Sequence, residues 1–157
     1  MRRLPLLACL LLAALIVVPT AGARVAPDRA GPAWAASWKP VNADVLAVGT
    51  VIQSAIKKAE GKTDAQLARQ FDAVAAQTGR VADRVSDYTR LPRSLRAQKA
   101  KLVDALLAAQ LDLKKVANAA RGHNGTAAGA AVKHLIQVVS PKVRDARRAI
   151  AAAAGIS

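Results

Sequence analysis

Asp83 and Asp87 stand four residues apart, the spacing that puts two carboxylates on one helix face, where one could give a proton while the other takes one. Arg80, Arg84 and Arg90 lie within helical reach of the pair, so ion pairs along the helix account for both carboxylates without catalysis. Ser54, Ser86, Ser94 and Ser140 are candidate hydroxyl nucleophiles. None stands in a Gly-x-Ser-x-Gly turn or at a patterned distance from a base, and Ser94 has a helix-capping role available. His134 falls between the apolar positions Val132 and Ile136, which predicts an exposed helical histidine pointing away from the core. The segment His123-Asn124-Gly125-Thr126 contains an Asn-x-Thr sequon. Its simpler reading is a turn in which Asn-Gly supplies positive φ and Thr126 caps the next helix.

Metal and haem chemistry is short of ligands. A carboxylate-bridged di-iron bundle needs several inward glutamates and a Glu-x-x-His pair, whereas the one glutamate here is Glu60. Cys9 is the single cysteine and Met1 the single methionine, which removes the Cys-x-x-Cys-His haem attachment and a His/Met axial pair. The phosphate-binding Gly-rich loop is also missing. These residues predict a non-enzymatic protein with no catalytic residues, no cofactor and no metal.

The elements that would position any site are more legible. Met1-Arg2-Arg3, an apolar run from Leu4 to Val18, and Ala21-Gly22-Ala23 describe a secretory signal peptide over residues 1–23. The run is shorter than the roughly 20 residues that span a bilayer, so cleavage after Ala23 is expected, with no transmembrane span left. Cys9 lies ahead of most of that run, so lipidation there is not expected. The localisation implied is secreted, periplasmic or extracellular. Residues 24–40, with Pro27, Gly31, Pro32 and Pro40, predict an extended leader carrying Trp34 and Trp38.

Beyond the leader, apolar residues recur at steps of four and three, as in Leu67, Phe71, Val74, Thr78, Val81, Val85 and Tyr88. That period of 3.5 predicts helices packed along a seam. Four are expected, at about 42–60, 63–91, 93–121 and 126–154. Thr63 with Gln66 makes a capping box for the second. Pro92 stops that helix, and Pro141 should kink or break the fourth. Short connections make neighbours antiparallel. The predicted fold is all-α, an up-down-up-down four-helix bundle over residues 41–155. Its first helix is short, and Trp34 and Trp38 pack in the groove left beside it or form an interface.

Charge is the remaining signal. Without Arg2 and Arg3 the chain keeps 22 Lys and Arg against 10 Asp and Glu, a net charge of +12. The predicted topology gathers Arg84, Arg90, Arg93, Arg96, Lys99, Lys101, Lys142, Arg144, Arg147 and Arg148 around one end of the bundle. Arginine forks suit phosphate and carboxylate oxygens. The expected partner is an anionic envelope polymer or lipid headgroups. The alternative is a protein partner or a homo-oligomer formed through incompletely buried coiled-coil seams. No aromatic residues interleave with the cations apart from Tyr88 and no nucleic-acid-binding motif is present, so specific nucleic-acid recognition is not expected.

Overall fold

The computed structural model describes residues 32–156, and within them helix is the only regular secondary structure. The expected signal peptide and residues 24–31 of the expected leader lie outside the described residues. The helices are α1 (Ala33–Lys57), α2 (Asp64–Asp87), α3 (Arg96–Arg121), α4 (Gly125–His134) and α5 (Ser140–Ala153). A 3₁₀ turn (Arg93–Leu95) leads into α3, and a π turn (Leu135–Val139) joins α4 to α5 without a break. The described residues thus form four helical rods, packed as a helical bundle. No described helix is long and apolar enough to cross a membrane.

The first helix is not short. It begins at Ala33 rather than near Asn42, so residues 33–40 are helical instead of extended, and its 25 residues match the 24 of α2. The seam explains this: Trp34, Trp38, Val41, Val45, Val48, Ile52 and Ala55 follow one another at steps of four and three, each buried or half-buried. Pro40 sits inside the helix on its exposed side. Its missing N–H frees a carbonyl at Ala36, which is itself exposed, so water can serve it. The groove expected beside a short helix is therefore filled by α1, and the incompletely buried seam expected there does not form.

Local chemistry sets the other boundaries. Thr63 Oγ1 accepts from the Gln66 N–H at 3.3 Å while Gln66 Oε1 accepts from the Thr63 N–H at 3.0 Å, a complete capping box. α2 ends at Asp87 instead of Leu91, because Pro92 holds Leu91 out of the α region and residues 88–91 turn Leu91 into the core. At the α3–α4 turn the cap is Asn124, not Thr126: Asn124 Oδ1 accepts from the Ala127 N–H at 2.9 Å. The positive φ there belongs to His123 (51°).

The apolar interior forms two clusters. One gathers Trp38 and Val45 from α1, Val85 from the end of α2, Leu102 from the start of α3 and Ile150 from α5. The other gathers Ala55 from the end of α1, Phe71 from α2, Leu113 and Val116 from α3, and Ala131, Leu135 and Val139 at the last rod. Start meets end at each cluster, so successive rods alternate in direction. Where α2 packs on α3, a Cβ added at Gly79 would collide with the end of the Gln110 side chain.

Pro141 produces a π turn. Proline at 141 cannot donate to a carbonyl one turn back. Instead the Ser140 N–H reaches Leu135 O, and Ser140 Oγ donates to the same oxygen at 2.9 Å. The wide turn keeps Ala131, Leu135, Val139 and Val143 in line, whereas a straight α-helix would rotate each step of four by about 40°. Leu135 (1 % exposed), not Ile136 (46 %), therefore occupies the seam. Deleting Ile136 should restore steps of four, three, four and three through Ala131, Leu135, Val139, Val143 and Ala146. The deletion is expected to leave stability within about 1 kcal/mol of wild type in urea titrations. Deleting exposed Arg144 instead, from a regular stretch, misaligns the seam and should cost at least about 3 kcal/mol.

Candidate functional site

The start of α1, the α2–α3 turn and the end of α5 meet at one end of the bundle. Tyr88 fastens this end: its hydroxyl donates to Trp34 O at 2.8 Å and shares a hydrogen bond with Ser37 Oγ at 2.7 Å. Its ring meets that of Trp38 edge-on, with centroids 5.2 Å apart. Trp38 is fully buried and its Nε1 has no partner among the described residues, while Trp34 is half-buried beside it. Both tryptophans thus belong to α1 and its core face.

The ten cations singled out by sequence divide into three groups. Arg90, Arg93, Arg96 and Lys101 are exposed on or just beyond the α2–α3 turn and form no ion pair with the described residues. From Tyr88 to Val103 the chain has no acidic residue, and exposed Asp87 and Asp104 flank the stretch. Arg96 and Lys99 also line a small pocket of about 300 Å³ with Tyr88, Thr89 and Leu91.

A second group serves the fold. Lys99 Nζ donates to Ser86 O at 2.8 Å and Tyr88 O at 3.1 Å, closing the end of α2. Arg84 pairs with Asp44 of α1 rather than with Asp83 or Asp87, neither of which forms an ion pair among the described residues. Arg147 Nη1 donates to buried Asn42 Oδ1 at 3.2 Å. Burial, and then the neighbouring Arg148, lower the Arg147 pKa from the ordinary arginine value. Arg148 is exposed on the same helix.

Lys142 and Arg144 form the third group. They flank Val143, which packs against both core clusters and so marks the middle of the bundle. They stand on its side, away from the turn, and Arg144 pairs with Asp145 at 3.2 Å. The cationic end is thus narrower than the sequence implied.

Sequence reasoning missed a second concentration of polar groups, between α3 and α4. Asp112, 2 % exposed, accepts from His134 Nδ1–H at 2.6 Å on Oδ2 and from Lys115 Nζ at 3.3 Å on Oδ1. His134 does not simply project into solvent: with Leu135 in the seam, the preceding residue faces α3. A lone aspartate between Leu111 and Leu113 carries no motif, and only the placement of the π turn would have revealed the pairing. Among the described residues no group of three His, Cys, Asp or Glu could hold a metal ion. No family model, curated protein or solved structure matches the chain.

Proposed function

We propose that the protein is an exported, non-enzymatic helical bundle that binds phosphate-bearing polyanions of the cell envelope, polymer or lipid headgroup, through the cationic turn between α2 and α3. One observation carries this reading: Arg90, Arg93, Arg96 and Lys101 are exposed, unpaired with the described residues, and uninterrupted by any acid. Three guanidinium forks and an ammonium held on a Pro92-braced turn can engage successive phosphates together. Arg84, Lys99 and Arg147 act beneath them as structural cations. The alternative, a protein partner or homo-oligomer, would use exposed apolar side chains such as Leu107 and Leu111 of α3 rather than a groove beside a short first helix.

Binding to soluble polyphosphate and to vesicles containing phosphatidylglycerol should both fall steeply as salt rises, each phosphate contact adding roughly 0.7–0.9 to the slope of log affinity against log salt. The fourfold variant Arg90→Gln, Arg93→Gln, Arg96→Gln, Lys101→Gln should keep its helical signal. Its affinity for the vesicles should drop on the order of 100- to 1000-fold, since each cation near an anionic surface contributes about 1 kcal/mol. Unchanged binding in that variant would refute the proposal.

A further inference from the structure

Asp112 is the one buried carboxylate among the described residues, and the cationic turn makes no use of it. An ionised group between two packed helices is costly unless paired, and an apolar residue of similar volume would hold α3 against α4 at least as well. Its two partners are more than half exposed, at 52 % for His134 and 56 % for Lys115. The polar network therefore opens outwards, into a groove of about 710 Å³ between α3 and α4. That volume is in the range of small-molecule sites.

We infer that this groove binds a small amphiphilic anion, a carboxylate or sulfonate on an apolar body, with Lys115 and His134 at its headgroup. Asp112 oxygens are hidden behind their two partners, so a ligand meets the ammonium and the imidazole instead of the carboxylate. The Nδ1–H bond to Asp112 fixes the ring beside the headgroup position, where Lys115 is the donor to an anion. Lys115 spends one N–H on Asp112 and keeps two. Lys133, exposed next to His134, adds a further positive charge. Among the residues that line the groove Asp112 is the one acid, and it is already doubly paired.

The rest of the groove is mostly apolar, with Asn118 and Asn124 the further polar side chains on its wall. Ala119, Ala127 and Ala131 line it from both helices. From Asp112 to Gly122, both lining residues, α3 rises about 15 Å. The charged groups sit at the mid-bundle end of this trough, and the alanine walls run from them to the α3–α4 turn. A headgroup at Lys115 thus directs an apolar body along the alanines. A cationic headgroup meets like charge there, and a neutral one gains no charge-assisted bond from the two N–H groups that Lys115 keeps.

The test compares decanoate, decanol and decyltrimethylammonium against the whole protein by calorimetry, with the two imidazoles followed by NMR. Decanoate should saturate at one per chain and shift the His134 resonances while leaving those of His123 in place. Decanol should bind at least tenfold more weakly, and decyltrimethylammonium should not saturate. Lys115→Gln should lose at least tenfold in decanoate affinity, whereas Lys115→Arg retains it. The headgroup series on the wild-type protein decides the matter even if Lys115→Gln fails to fold. Equal binding of decanol, no saturation, or saturation that leaves His134 unmoved would each overturn the inference. The fourfold cationic-turn variant should bind decanoate as wild type does, which separates this site from the proposed polyanion site.

Discussion

Replacing Trp38 with alanine is expected to remove about 3–5 kcal/mol of stability, the largest loss of any single substitution considered for this chain. The indole is wholly buried in the cluster that joins α1 to Val81, Ala82 and Val85 of α2, Leu102 and Leu106 of α3, and Ile150 of α5. Those neighbours come from three other rods, so no single side chain can swing in to fill the space left behind. The transfer and cavity costs therefore add. Tyr88 also loses the ring it packs against edge-on, which loosens the turn carrying Arg90 and Arg93. Trp38→Phe should cost much less, because Nε1–H makes no hydrogen bond with the described residues that phenylalanine would forfeit. Urea unfolding followed by far-UV circular dichroism measures both variants. A Trp38→Ala loss under about 1 kcal/mol would mean that α1 does not dock as described.

The second large effect concerns the paired carboxylate. Removing both Lys115 and His134 side chains, as alanines, strands the Asp112 charge between α3 and α4 and should cost about 3–5 kcal/mol. Adding Asp112→Leu to that double variant should recover most of the loss, since the uncompensated charge disappears along with its partners. Two exposed residues replaced by alanine would otherwise change stability by only a few tenths of a kcal/mol each. The contrast between double and triple variants thus isolates burial of charge from loss of helix surface. Equal stability of the double variant and wild type would show that water reaches Asp112.

The seam positions of α2 and α3 could be read directly, because Phe71, Val74, Val81, Val85, Leu102, Leu106, Leu113 and Val116 keep one period through straight helices and are buried accordingly. Leu107 is 44 % exposed, one residue past Leu106 and outside the packed face. The start of α1 was legible in the steps from Trp34 to Trp38 to Val41, but Pro32 and Pro40 carried the opposite message. A proline on an exposed face costs a helix less than its reputation, since water can take the freed carbonyl. The last rod resisted reading for another reason. Periodicity arguments assume one pitch, and a five-residue π turn breaks that assumption, which exchanged Ile136 for Leu135 and concealed the pairing of His134 with Asp112. The cationic turn needed only Pro92 and an acid-free stretch, so sequence located its four outward cations while overstating its extent at Lys142 and Arg144.

The order in which the rods touch has a kinetic consequence. The major interfaces join rods that are consecutive in the chain, α1 with α2, α2 with α3, and α3 with the α4–α5 rod, whereas α1 and α5 meet only along a thin seam. Loop closure is therefore short at almost every step, the condition under which helical proteins fold in microseconds to milliseconds. Among the exceptions is the contact between Asn42 and Arg147, 105 residues apart. It can form only after the hairpins around it have assembled, and a contact made that late slows unfolding without hastening folding.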